Sequence, residues 1–155
     1  MKMRCLNSLI LSSFSRGFKF GSMFAFPRVS AAVLNQSALT LVVVDDDDQI
    51  RRAVSRLLRR HGHTVHAFAS AEAYLDERRD ADCAILDIDL PGMSGLELRE
   101  RLSREDHVMP FLFITAHDEY AAQAGARATD GRLLMKPLDE HMLLEAIARA
   151  IVDRR

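Results

Sequence analysis

Five short apolar runs, separated by segments whose apolar residues recur at helical spacing, restrict this chain to one class of fold. The runs are LTLVVV (39–44), TVHAF (64–68), the stretch through AILD (84–87), FLFIT (111–115) and RLLMK (132–136). After the first, Ile50, Ala53, Val54, Leu57 and Leu58 fall on one side of a helix with arginines opposite, and the segment stops at His61 and Gly62. Ser70 is placed to cap the helix AEAYLDERR, and Ser94 with Glu97 has the spacing of a capping box for a helix reaching Leu102. A weaker helix is predicted over about Glu119 to Ala128, interrupted by Gly125, and Leu143, Ile147 and Ile151 give the last helix an apolar stripe. Strand and helix in strict alternation imply parallel pairing with right-handed crossovers, a three-layer α/β sandwich.

The 155 residues divide unevenly. Residues 1–38 hold five basic residues, no acid, and five of the eight phenylalanines, with seven serines among them. Lys2 and Arg4 before LNSLILSSF resemble the front of a signal peptide, but Asn7, Ser8, Ser12 and Ser13 interrupt the apolar region, and it is too short to span a bilayer. This extension reads as upstream sequence included by a misplaced translation start, as a membrane-surface or targeting segment, or as a partner-binding tail. Residues 39–155 form the expected domain, with 16 basic and 22 acidic residues. A net charge of that sign argues against wrapping a phosphate backbone and suits holding a cation. Two cysteines, Cys5 and Cys83, lie in segments of different character and give no disulfide framework, which fits a cytoplasmic protein.

The chemistry gathers at the carboxyl ends of the runs. Asp45 and Asp46 follow the first, Asp87 ends the third, Thr115 ends the fourth and Lys136 ends the fifth. In a parallel sheet these ends face one crevice. Three carboxylates brought together repel one another unless a cation intervenes, and hard oxygen ligands without histidine or thiol favour Mg²⁺. Mg²⁺ beside a lysine suits phosphoryl transfer, with Asp87 as nucleophile forming an acyl phosphate, Lys136 as a point positive charge and Thr115 as a hydroxyl donor. Lys136 is the only lysine after residue 38 in a domain that otherwise uses arginine. Asp47 and Asp48 read as loop and helix N-terminus. His61, His63 and His66 straddle a loop and a strand without a fourth partner, a poor metal set. His117, two residues beyond Thr115, is placed where it could approach a phosphoryl group.

VVVDDDDQIRRAVSRLL, ILDIDLPGMSGLEL, FITAHD and LLMKPL together resemble the signatures of the receiver domain of two-component response regulators, over about residues 39–152. The LDxxLPGMSGLEL segment is especially similar to regulators of the nitrogen-fixation and nitrate-response type. The resemblance, rather than the pattern, implies a flavodoxin-like (βα)5 sandwich with parallel sheet order 2-1-3-4-5. It also implies Asp87 as phosphoacceptor, Asp45, Asp46, Asp87 and the backbone carbonyl of Asp89 as metal ligands, and Thr115 as the switch hydroxyl. Ala116 would be the small residue giving access, and the Lys136–Pro137 bond would be cis. The implied partners are a histidine kinase or phosphotransfer protein and a downstream partner protein. The implied switching surface is the face of the fourth predicted helix, the fifth strand and the last helix, which admits a phosphorylation-dependent dimer. Neither direct nucleic-acid binding nor firm membrane association is expected, nor enzymatic turnover beyond self-phosphorylation and self-dephosphorylation.

Two departures stand out. Leu133 occupies a position that is commonly Tyr or Phe in the family, and the segment between Thr115 and Lys136 is about one residue short of a common receiver spacing. The chain ends at Arg155 without room for a helix-turn-helix output domain, so a single-domain regulator is expected. The rival readings are an Mg²⁺-dependent phosphohydrolase with Asp89 as general acid, and a degenerate receiver that binds a partner without phosphorylation. Dehalogenase-type phosphatases resemble a motif with a following threonine, where this chain has Leu90 and Pro91. A flavin-binding module is disfavoured, because no Ser/Thr/Gly-rich phosphate loop follows the first run.

Overall fold

The computed structural model describes residues 38–105, 109–117 and 132–153. The extension apart from Ala38, and the helix predicted over Glu119 to Ala128, lie outside the described residues. In chain order the elements are β1 (Thr40–Val44), α1 (Asp48–Arg60), β2 (Thr64–Phe68), α2 (Ala71–Glu77), β3 (Cys83–Asp87), α3 (Gly95–Arg104), β4 (Phe111–Thr115), β5 (Leu133–Met135) and α4 (Glu140–Val152). The five strands form one parallel sheet in the order β2-β1-β3-β4-β5, as expected.

Alternation along each strand builds the two hydrophobic layers. Val42 and Val44 of β1, Ala84 and Leu86 of β3, and Phe111 and Phe113 of β4 face one side, where Tyr74 of α2 and Leu98 and Leu102 of α3 cover them. Leu41, Val43, Cys83, Ile85, Leu112 and Ile114 face the other side, against Val54 and Leu58 of α1 and Leu143 and Ile147 of α4. Because both faces are buried, β1, β3 and β4 carry unbroken apolar runs instead of the alternating pattern of a half-exposed strand. Cys83 is fully buried, and burial pushes its thiol up to about 12, so it behaves as a small apolar side chain.

Local signals place the helix starts. Asp47 accepts from the backbone N–H groups of Gln49 and Ile50 and caps α1, while Ser70 caps α2 through Ala73. Ser94 and Glu97 form the reciprocal capping box at the start of α3. α1 ends before Gly62, whose φ of +84° lies in the left-handed region that a side chain disfavours.

Candidate phosphoacceptor and metal site

The four consecutive acids after β1 do different work. Asp45 is fully buried and directly continues the strand, its N–H donating to the carbonyl of Phe68 at 3.2 Å. Its Oδ1 accepts from the N–H of Asp47 at 2.9 Å, which turns the chain into α1. Asp46 is exposed, Asp47 caps the helix, and Asp48 pairs with Arg51 and Arg52 one turn on. Arg51 closes the loop from outside, its Nη1 donating to the carbonyl oxygens of Asp45 at 2.8 Å and Asp46 at 3.3 Å.

Asp87, the last residue of β3, is 3 % exposed. Lys136, directly after β5, reaches across the sheet and lays its ammonium 2.6 Å from Asp87 Oδ2 and 2.9 Å from Asp45 Oδ2. The first contact is a directed hydrogen bond. The second is a close ion contact off the hydrogen-bonding direction, so Asp45 Oδ2 is buried without a directed hydrogen-bond partner among the described residues.

Burial pushes the Asp45 carboxyl up; the adjacent Lys136 ammonium pulls it down and the Asp87 charge adds to the rise, which wins. For Lys136, burial alone would lower the value, but the two close carboxylates of Asp87 and Asp45 outweigh it and raise it.

Asp45, Asp46 and Asp87 each offer an oxygen such that all three atoms lie within 4.8 Å of one another. Two further observations fit a divalent ion here. Among the described residues the donor set is entirely carboxylate oxygen, and a buried oxygen of Asp45 lacks a directed partner. The carboxylate of Asp89 is not part of this group.

Asp89 instead belongs to a second arrangement at the same edge. Its N–H donates to Asp87 Oδ1 at 3.2 Å, and its Oδ2 accepts from the Thr115 hydroxyl at 2.9 Å. The same oxygen lies 3.0 Å from His117 Nδ1, while the N–H of His117 donates to Thr115 Oγ1 at 3.1 Å. Thus Thr115 is tied to Asp87 through Asp89. This side-chain role of Asp89 had no signal in the spacing, nor did the clasp made by Arg51.

Gly95, readable in the sequence as a break before the third helix, has a packing role that spacing alone did not reveal. A Cβ there would sit 2.2 Å from the backbone oxygen of Asp87, so only glycine lets α3 start against the end of β3. The Lys136–Pro137 bond is cis. Ala116 is exposed beside Thr115, and Leu133 is half-buried against the layer containing Phe113.

A family model described as the response regulator receiver domain matches residues 41–148. The chain belongs to this family. The receiver is 32% identical over 121 residues to the response regulator protein TodT of Pseudomonas putida, covering 76% of this chain and 53% of that protein. It is 32% identical over 117 residues to the transcriptional regulatory protein FixJ of Azorhizobium caulinodans, covering 74% and 56%. The chain therefore spans about half the length of these curated relatives. Among solved structures, the CheY-like receiver domain protein from Methanospirillum hungatei superposes with a TM-score of 0.66 at 28% identity, covering 76% of this chain and 97% of that one. Among the described residues, no helix of the receiver is long and apolar enough to cross a membrane.

Proposed function

We propose that this receiver accepts a phosphoryl group from a histidine kinase or phosphotransfer protein onto Asp87, and that the modification switches a protein-binding surface. The observation that carries this reading is the convergence of Asp45, Asp87 and Lys136 from three separate strand ends, with Lys136 Nζ within 2.9 Å of both carboxylates and Asp46 beside them.

In the transfer, an Asp87 carboxylate oxygen attacks phosphorus and forms an O–P bond as the P–N bond of the donor phosphohistidine breaks. The donor imidazole leaves with the electron pair and is reprotonated from solvent. Asp45, Asp46, Asp87 and the carbonyl of Asp89 would hold Mg²⁺, which when bound supplies positive charge against the phosphoryl oxygens. Lys136 keeps a localised ammonium against the same oxygens, and its low exposure strengthens that attraction.

Thr115 donates its hydroxyl to Asp89, so engaging the phosphoryl group requires that donor to be redirected. The N–H of Lys136 donates to the carbonyl of Thr115 at 2.8 Å, which links a shift of Thr115 to β5 and the start of α4. With Leu133 in β5, the switch runs without an aromatic ring at that position. The output is binding of a downstream protein, with the cytoplasm as the compartment and no substrate turnover. The engagement of Asp89 by Thr115 and His117 speaks against its serving as a free general acid in a phosphohydrolase.

Acetyl phosphate with Mg²⁺ tests the assignment. Intact-protein mass measurement should show one phosphoryl equivalent on the parent and none on Asp87→Asn; label persisting on that variant would overturn the role given to Asp87.

A further inference from the structure

The outer face of α1 holds a concentration of positive charge, of which only Arg51 contacts the acidic loop of the site. At roughly 100° per residue, Arg51, Ser55, Arg59, Arg52, Arg56 and Arg60 follow one another around half the helix circumference. They line an open groove of about 650 Å³ between α1 and Ala67 of β2, the edge strand, with Asp48 as the one acid among the described residues of its wall. This occurs in a domain whose charge is otherwise negative.

Not all of these arginines are engaged. Arg51 clasps the acidic loop, Arg52 pairs with Asp48, and Arg59 donates to the carbonyl of Val65 at 2.9 Å. Arg56 and Arg60 have no ion pair or hydrogen bond among the described residues, and both are exposed. Ser55 lies among the arginines on the same face of α1. It lines the groove, is 3 % exposed, and its Oγ has no hydrogen-bond partner among the described residues.

We propose that this groove binds an oligophosphate chain, either free or as the tail of a nucleotide. Arg52, Arg56 and Arg60 recur on successive turns, about 6 Å apart along the axis, which suits a line of anionic groups better than a single ion. Guanidinium forks match phosphate oxygens bidentately. The volume is that of a small-ligand site. An acidic peptide added as a strand is disfavoured, because Arg59 already occupies the Val65 carbonyl on the open edge of β2.

The test is calorimetric titration of the full chain with sodium tripolyphosphate, ATP and a hexaglutamate peptide. EDTA is present throughout, so the acidic cluster cannot recruit phosphate through a divalent ion. Tripolyphosphate should bind at one site, and the double variant Arg56→Ala/Arg60→Ala should weaken it roughly tenfold. Equal affinity for ATP supports recognition of the phosphate chain alone, and tighter ATP binding supports a nucleotide. No binding of either, binding unchanged in the double variant, or hexaglutamate binding as tightly as tripolyphosphate would overturn the proposal.

Discussion

Replacing Lys136 with Met removes a cation that touches both buried carboxylates and leaves side-chain volume nearly unchanged. The ammonium stands 2.6 Å from Asp87 and 2.9 Å from Asp45, with side-chain exposures of 10 %, 4 % and 0 % for Lys136, Asp87 and Asp45. At an effective dielectric near 20, each contact is worth about 6 kcal/mol of gross attraction. Desolvation of the ammonium and carboxylates cancels much of this sum. Removing one member of such a buried set costs about 3–5 kcal/mol, because the remaining charges stay buried and unpaired.

For a urea slope of about 2 kcal/mol/M, the unfolding midpoint of Lys136→Met should fall by roughly 2 M at pH 7 in EDTA. The same substitution deepens the negative field at Asp45, Asp46 and Asp87. Mg²⁺ should therefore raise the midpoint of the variant more than that of the parent, by mass action on the folded state. Far-UV circular dichroism across urea, with and without Mg²⁺, measures both effects. An unchanged midpoint in EDTA, or an equal Mg²⁺ response in variant and parent, would refute the electrostatic account of the site.

Two other perturbations bear on the geometry. Gly95→Ala should destabilise the domain by about 1–3 kcal/mol, since its Cβ meets backbone on the strand that carries Asp87. It should also slow labelling by acetyl phosphate, read by urea unfolding and mass measurement together. His63 is buried, and burial first, then the charge of His61, lower its value below 6.5. Its Nδ1 accepts from the N–H of Leu39, so the folded state holds it neutral while the unfolded chain takes up a proton. Its contribution to stability is thus complete above pH 6.5 and is lost as pH falls through the lower folded value. Unfolding midpoints measured between pH 7.5 and 5 should fall less steeply for His63→Asn, whose amide oxygen can still accept from Leu39.

The strand order emerged from the resemblance, but the alternation of apolar runs and helical segments was sufficient for a parallel three-layer sandwich. Such runs are readable because both faces of β1, β3 and β4 are covered, so their composition cannot alternate with water. Caps were equally legible. Ser70, Ser94 and Glu97 act within a few residues of themselves, where sequence distance and spatial distance coincide.

Asp45, Asp46, Asp87, Thr115 and Lys136 could be nominated from their positions at run ends, since parallel strands direct those ends one way. What each side chain touches was another matter. The sharing of Lys136 between two carboxylates, the capture of the Thr115 hydroxyl by Asp89, the clasp of Arg51 over the acidic loop and the backbone contact that requires Gly95 are distances of a few ångströms. Most of them join residues that are far apart in the chain. The amino-acid order determined which elements form and which chemical groups lie at their ends. Only packing the helices onto the sheet decided which atoms meet, because rotamer choice and register depend on neighbours contributed by other elements.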